Sequence, residues 1–100
     1  MNSVIRSFRD RGTQDVFHGV DTAAARRICG RDLWPIARRK LDQVNRVRGL
    51  RELAVPPGNR LEPLCGERKG QRSIRINEQY RVCFRWEGGN AYEVEIADYH

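Results

Sequence analysis

The chain has 100 residues, with 19 Lys plus Arg against 13 Asp plus Glu and a net charge of +6. That length fits one domain, 1–100, and no more. A composition of 39% apolar and 32% charged residues describes a folded chain rather than a disordered one, and no run approaches the ~20 apolar residues of a membrane span.

The first residues lack a signal peptide's apolar stretch, so a cytoplasmic protein with no membrane partner is expected. Three Cys without a Cys-x-x-Cys pair, and two His, give neither a zinc spacing nor a disulfide framework. No metal or other cofactor is expected, and Cys29, Cys65 and Cys83 are expected as small buried or half-buried thiols. Lys occurs only at 40 and 69; every other basic residue is Arg. Arg offers a planar fork that grips phosphate through two bonds and stacks on bases. Composition alone leaves two explanations, Arg-rich codon usage and a polyanionic partner such as nucleic acid.

Along the chain, residues 4–8 alternate and start β-branched, which predicts a strand. Residues 13–17 predict a short helix closed near Gly19. Asp21 or Thr22 can cap a second, Ala-rich turn that stops at Gly30. Asp32 is the expected N-cap of a longer helix, with Pro35 in its first turn. Leu33, Ala37, Leu41, Val44 and Val47 recur at spacings of three and four, giving that helix an apolar stripe and an end near Gly49. Pro56-Pro57-Gly58-Asn59 forbids regular helix and predicts turns. Residues 61–65 predict a short strand ended by Gly66, before a basic loop, Glu67-Arg68-Lys69-Gly70.

The last thirty residues alternate. Ile74 and Ile76, then Tyr80, Val82, Phe84 and Trp86, then Tyr92, Val94 and Ile96 fall on one face. An α+β domain follows: a small antiparallel sheet of about four or five strands, with two or three helices packed on its apolar face. Keeping the apolar residues together fixes the hairpins. A three-residue loop, Gly88-Gly89-Asn90, pairs Trp86 with Tyr92, Phe84 with Val94 and Val82 with Ile96; an even-length loop requires a bulge. A three-residue turn, Asn77-Glu78-Gln79, pairs Ile76 with Tyr80 and Ile74 with Val82. On the polar face this register sets Arg85 opposite Glu93 and Arg75 opposite Arg81, with Tyr99 diagonally beyond. Like charges directly opposite repel by roughly 0.2–1 kcal/mol, and an anion on that face turns the repulsion into binding. A solvated face neutralised by Glu93 and Glu95 is the alternative. The chain end, Asp98-Tyr99-His100, continues from a core strand and gathers a carboxylate, a phenol and an imidazole, of which His is the most suited to proton transfer near neutral pH.

With Ile5-Arg6-Ser7-Phe8, Pro56-Pro57-Gly58-Asn59-Arg60-Leu61-Glu62, Leu64-Cys65-Gly66-Glu67-Arg68-Lys69-Gly70-Gln71, Ser73-Ile74-Arg75-Ile76-Asn77, Tyr80-Arg81-Val82-Cys83-Phe84 and the closing Asp98-Tyr99-His100, essentially the whole chain resembles the HigB-type toxins, GraT-like branch, of the RelE/ParE superfamily. The resemblance implies a RelE-like, microbial RNase-type fold. It implies a ribosome-dependent mRNA endoribonuclease that inhibits translation as half of a type II toxin–antitoxin pair. The implied partners are a HigA-type helix-turn-helix antitoxin, the ribosome and mRNA, with operator DNA met only through the antitoxin. The implied chemistry is metal-free: the ribose 2′-OH attacks the adjacent phosphate, leaving a cyclic phosphate and a 5′-OH. By residue-wise transfer Arg81 stabilises the phosphate, His100 is the candidate acid or base, Tyr99 stacks on a base or joins the proton relay, and Asp98 orients its neighbours. Some relatives carry His where this chain has Glu62, and a basic residue where it has Cys65. Glu62 can serve as a base but not as a cation. Arg68, Lys69, Arg72 and Arg75 are the implied contacts to the RNA backbone. Two other activities are weighed against this one: a non-cleaving inhibitor that binds the ribosome or an assembly factor, motivated by Glu62 and Cys65, and a gyrase poison, against which the terminal triplet argues.

Overall fold

In the computed structural model, which describes residues 3–99, three helices cover one face of a four-stranded antiparallel sheet. The helices are α1 (Arg11–His18), α2 (Ala23–Ile28) and α3 (Trp34–Arg46); the strands are β1 (Glu62–Pro63), β2 (Gln71–Arg75), β3 (Tyr80–Glu87) and β4 (Asn90–Asp98). Sheet order follows chain order, β1-β2-β3-β4. Ala37, Leu41 and Val44 of α3 lie fully buried against Ile74, Val82, Phe84 and Val94 of the sheet. Each of these side chains larger than Ala37 contributes roughly 1.5–3 kcal/mol relative to exposure.

α1 and α2 come from the stretch with the weakest apolar pattern, and polar contacts join them. Asp10 caps α1 by accepting from Thr13 N (2.6 Å), and Thr22 caps α2 by accepting from Ala25 N (3.1 Å). The Asp15 carboxylate accepts from Thr22 Oγ1 (2.7 Å) and Arg11 Nε (3.1 Å). The Thr22 hydrogen bond, then Arg11, holds Asp15 below the usual carboxylate range against the opposing effect of burial. Gly12 is needed where the two helices touch: a Cβ there would stand 2.2 Å from Ile28 Cγ1 and 2.5 Å from the Ala24 carbonyl oxygen.

Four local expectations are corrected. Residues 4–8 do not form a strand. They run parallel to β4 and touch it in two isolated bridges, Ile5 with Ala91 and Phe8 with Val94. The ladder breaks at Glu93, whose N–H donates to Ser7 Oγ (2.9 Å) instead of a backbone carbonyl. Asp32 is not the N-cap of α3. It lies inside a 3-10 turn, Arg31–Leu33, which places Leu33 at the cap with no side-chain bond. α3 stops at Arg46, where Val47 turns extended, before Gly49 is reached. The strand expected over 61–65 shrinks to Glu62–Pro63, with one further backbone bond from Leu64 N to the Gln71 carbonyl (2.9 Å).

The β2–β3 register is the expected one, with Ile74 opposite Val82 and Arg75 opposite Arg81. The β3–β4 hairpin is corrected in its upper half. Its turn has two residues, Gly88 and Gly89, at φ 56° and 79°, the left-handed pair that a tight hairpin demands. Tyr92 therefore pairs with Arg85 on the open face, and Ala91 takes the core place beside Trp86. A bulge between Cys83 and Arg85 restores the parity, so that Val82 opposes Ile96 as expected. The extra residue is Glu93, at φ 53°.

Candidate active site

The face of the sheet turned away from the helices holds the candidate site. Arg81, on β3, stands between Arg75 of β2 and Ala97 of β4. Its side chain is only 13% exposed, and three acceptors hold it. Arg81 Nη1 donates to Ser73 Oγ (2.9 Å) and to the Arg60 carbonyl oxygen (3.4 Å), and Nη2 lies 3.3 Å from Glu62 Oε1. The guanidinium carbon sits 5.5 Å from the centre of the Tyr99 ring, cation–π distance. Register explains the grouping. Ser73 opposes Glu62 on one side and Cys83 on the other, which puts all three on Arg81's face. Tyr99 is anchored by its own N–H, which donates to the Gln79 carbonyl (2.6 Å).

An open cavity of about 390 Å³ lies against this arginine, lined by Arg60, Arg75, Asn77, Glu78, Arg81 and Tyr99. Three arginines and one glutamate, Glu78, thus line one concavity, and Glu62, 47% exposed, stands beside Arg81. Asn77 fixes the neighbouring turn: its Oδ1 accepts from Gln79 N and Tyr80 N, both at 2.8 Å. Fixed donors of this kind, aimed at one place, suit an anion whose charge grows during a reaction.

The loop that delivers Arg60 and Glu62 is built around Asn59. This side chain is fully buried. Its Nδ2 donates to Gln43 Oε1 (3.0 Å) and to the Leu53 (3.0 Å) and Val55 (3.3 Å) carbonyls, while its Oδ1 accepts from Lys40 Nζ. Burial pushes the Lys40 ammonium down from its ordinary pKa. Arg60 then adopts a left-handed turn, φ 48°, which aims its carbonyl at Arg81.

Glu62, Arg75, Arg81 and Tyr99 therefore converge. The other expected residues stand elsewhere. Asp98 shares the opposite face with Tyr80, its strand partner, and accepts from Gln79 Nε2 (3.1 Å). Burial, then the Asp98 carboxylate, pushes the Tyr80 phenol up. Arg72 opposes Phe84 and Pro63 and so also points away from Arg81's face. Arg68 is engaged: its Nη1 binds Glu95 Oε1 at 2.6 Å and Gln71 Oε1 at 3.1 Å, and Glu95 first of all raises its pKa. Lys69 is exposed at the end of a 3-10 turn. His100 lies outside the described residues. Ser73, Arg60 and Asn59 are the members that sequence reasoning did not assign to the site. Ser73 had a signal: it shares parity with Arg75 and is the one small polar residue on that stretch of β2.

Cys29 and Cys83 are buried and Cys65 is exposed. Burial pushes the Cys83 thiol up to about 11. Among the described residues no three His, Cys, Asp or Glu side chains converge as a metal site would require, and no helix is long and apolar enough to cross a membrane.

Residues 6–100 match the family model described as "RelE-like toxin of type II toxin-antitoxin system HigB". "Toxin HigB-1" of Vibrio cholerae serotype O1 is 47% identical over 53 residues, 53% of this chain and 56% of that protein. "Endoribonuclease HigB" of Proteus vulgaris is 39% identical over 41 residues, 41% of this chain and 45% of that one. The matched segment thus spans about half the length of these curated relatives. Among solved structures, a chain of the YoeB–YefM complex from Staphylococcus aureus shares the fold, with a TM-score of 0.52 over 96% of this chain and 97% of its own, at 12% identity.

Proposed function

The chain belongs to the HigB family of RelE-like toxins of type II toxin–antitoxin systems, and from that premise we propose that it is a ribosome-dependent mRNA endoribonuclease. The observation that carries the reading is the convergence of Arg60, Arg75 and Arg81 beside Tyr99, with Arg81 held by Ser73, Glu62 and the Arg60 carbonyl. A scissile phosphate binds in that cavity, with its non-bridging oxygens toward Arg81 and Arg75. The adjacent 2′-OH attacks phosphorus and loses its proton to Glu62. Charge accumulates on the phosphorane oxygens, where the pre-held guanidinium stabilises it without having to reorganise. The 5′-oxygen leaves with a proton from an acid, for which His100 is the candidate. The Tyr99 ring stacks on a flanking base, and Asp98 holds the chain end through Gln79. The requirement for a 2′-OH limits the substrate to RNA.

The partners in this reading are the ribosome with its mRNA, and a HigA-type helix-turn-helix antitoxin that neutralises the toxin. Mapping RNA 5′ ends after expression tests it. Wild type produces new 5′ ends within codons, and Arg81→Ala loses them. Growth arrest with intact mRNA would overturn cleavage and leave a non-cleaving ribosome inhibitor. That second reading is favoured by one observation: Arg81 engages the Glu62 carboxylate directly.

A further inference from the structure

A second basic concavity lies at the other end of the molecule. Its cavity, about 530 Å³, is lined by Arg6, Arg46 and Arg48 with Val4, Gly89 and Asn90 among its walls. Arg81 and the Gly88–Gly89 turn sit at opposite ends of β3, about 23 Å apart at 3.3 Å per residue. Three separate segments build the walls. The 4–8 segment brings Arg6, the residues at and just beyond the end of α3 bring Arg46 and Arg48, and the β3–β4 turn brings Gly89 and Asn90. The joint between them is fixed. Asn45 Oδ1 accepts from both Val4 N and Ile5 N at 3.0 Å, Val4 N also donates to the Asn45 carbonyl (3.1 Å), and Ala91 N donates to the Val4 carbonyl (2.9 Å). Arg6 Nε donates to Asn90 Oδ1 (3.0 Å), which orients its fork and leaves both terminal nitrogens for another acceptor.

Ordinary surface roles account for only part of this charge. Arg46 pairs with Asp42 one turn back (3.3 Å) and complements the negative end of α3. Glu52 Oε1 accepts from the Arg48 backbone N–H (3.2 Å), not from its guanidinium. Among the described residues no carboxylate forms an ion pair with the side chain of Arg6 or Arg48.

We propose that Arg6 and Arg48 form a second anion site, which grips backbone phosphates of an RNA segment distinct from the strand that is cut. The choice of RNA over another polyanion rests on the reading of the protein as an RNA-directed toxin; the site itself rests on its own geometry. Planar guanidinium forks match phosphate oxygens two at a time, and a contact far from Arg81 orients the toxin without taking part in the chemistry.

The test uses a 2′-O-methyl RNA hairpin, which has no 2′-OH to react and so reports binding alone. Its affinity is measured by fluorescence anisotropy across a salt series. In Arg6→Gln/Arg48→Gln the slope of log affinity against log salt flattens by about 1.4–1.8, two phosphate contacts, and affinity at low salt falls. Arg48→Glu, altered at an exposed residue beyond the helix, shows the same direction and keeps the result readable if the double variant folds poorly. Arg81→Ala, which abolishes cleavage in the proposed function, keeps the contribution of this second site. Unchanged affinity and slope in both Arg6/Arg48 variants overturns the site. Binding to polyglutamate lost in the variants while hairpin binding persists overturns RNA as the ligand. Failure of the cleavage reading shows instead as absent 5′ ends in wild type, whatever the hairpin does.

Discussion

At one end of the open sheet face, Arg60, Arg75 and Arg81 line a cavity together with Glu78, and of the three arginines only Arg81 is in an ion pair among the described residues, with the half-exposed Glu62. Toward the Gly88–Gly89 turn the same face carries Arg68 and Arg85, and there each cation meets carboxylates. Arg68 binds Glu95, which is 12% exposed, and Arg85 binds Glu87 and Glu93 (3.4 Å for the latter). The two regions hold similar numbers of arginines on one strand system, so the count of charges does not distinguish them. Pairing does. Where acids are supplied, the arginines stitch strands and loops together. At the other end Arg60 and Arg75 form no ion pair among the described residues, and an anion from outside can fill that place.

The comparison breaks most sharply at Arg81. Arg81→Ala removes a fixed donor at the proposed phosphate, and cleavage falls by about 10²–10³-fold in a translation assay, with the fold intact by circular dichroism. Activity retained within that assay would make the two regions equivalent. Asn59→Ala comes next. It strands the buried Leu53 carbonyl, takes the acceptor from the half-buried Lys40 ammonium and leaves Val55 only its bond from Gln43, and urea unfolding should show a loss of about 1–3 kcal/mol. Cleavage should fall with it, because Arg60 and Glu62 lose their support. Arg68→Ala is the mirror experiment at the balanced end. Discounted for the 31% exposure of Arg68, it costs about 1–2 kcal/mol of stability and leaves cleavage by the remaining fold unchanged. The smallest effect belongs to Arg75→Gln. Relieving the Arg75–Arg81 opposition raises stability by about 0.2–1 kcal/mol while cleavage drops, a trade expected only of a charge kept for binding.

Much of this was legible before any coordinates. Alternation in the last thirty residues predicts the sheet, its helix-covered face and the Arg75–Arg81 opposition, because parity is a local property. The upper β3–β4 hairpin was not legible, since Gly88-Gly89-Asn90 suits a two- or a three-residue turn and only the bulge at Glu93 decides between them. Asn59 stayed hidden for another reason. An Asn after Pro-Pro-Gly reads as turn chemistry, and its hub role depends on Lys40 and Gln43 from a helix that only the tertiary fold brings near. The resemblance implies Arg68 and Arg72 as RNA contacts. Strand register sends Arg72 to the other face and gives Arg68 a carboxylate partner.

The margins of the sheet have a consequence of their own. On the β4 side the backbone is occupied along its length: Arg6 and Arg9 donate to Ala91 and Val94, Val94 donates to Ser7, and Ile96 N–H donates to the buried Thr13 hydroxyl. On the far side β1 is two residues long and ends in Pro63. Among the described residues, the β4 margin from Ala91 to Ile96 is thus taken up by the 4–13 segment, and β1 is too short to present a long edge. Along that stretch of β4 an added strand would have to displace the 4–13 segment first, which disfavours edge-to-edge stacking of copies there. A partner that docks along that stretch of β4 must therefore recognise side chains rather than backbone.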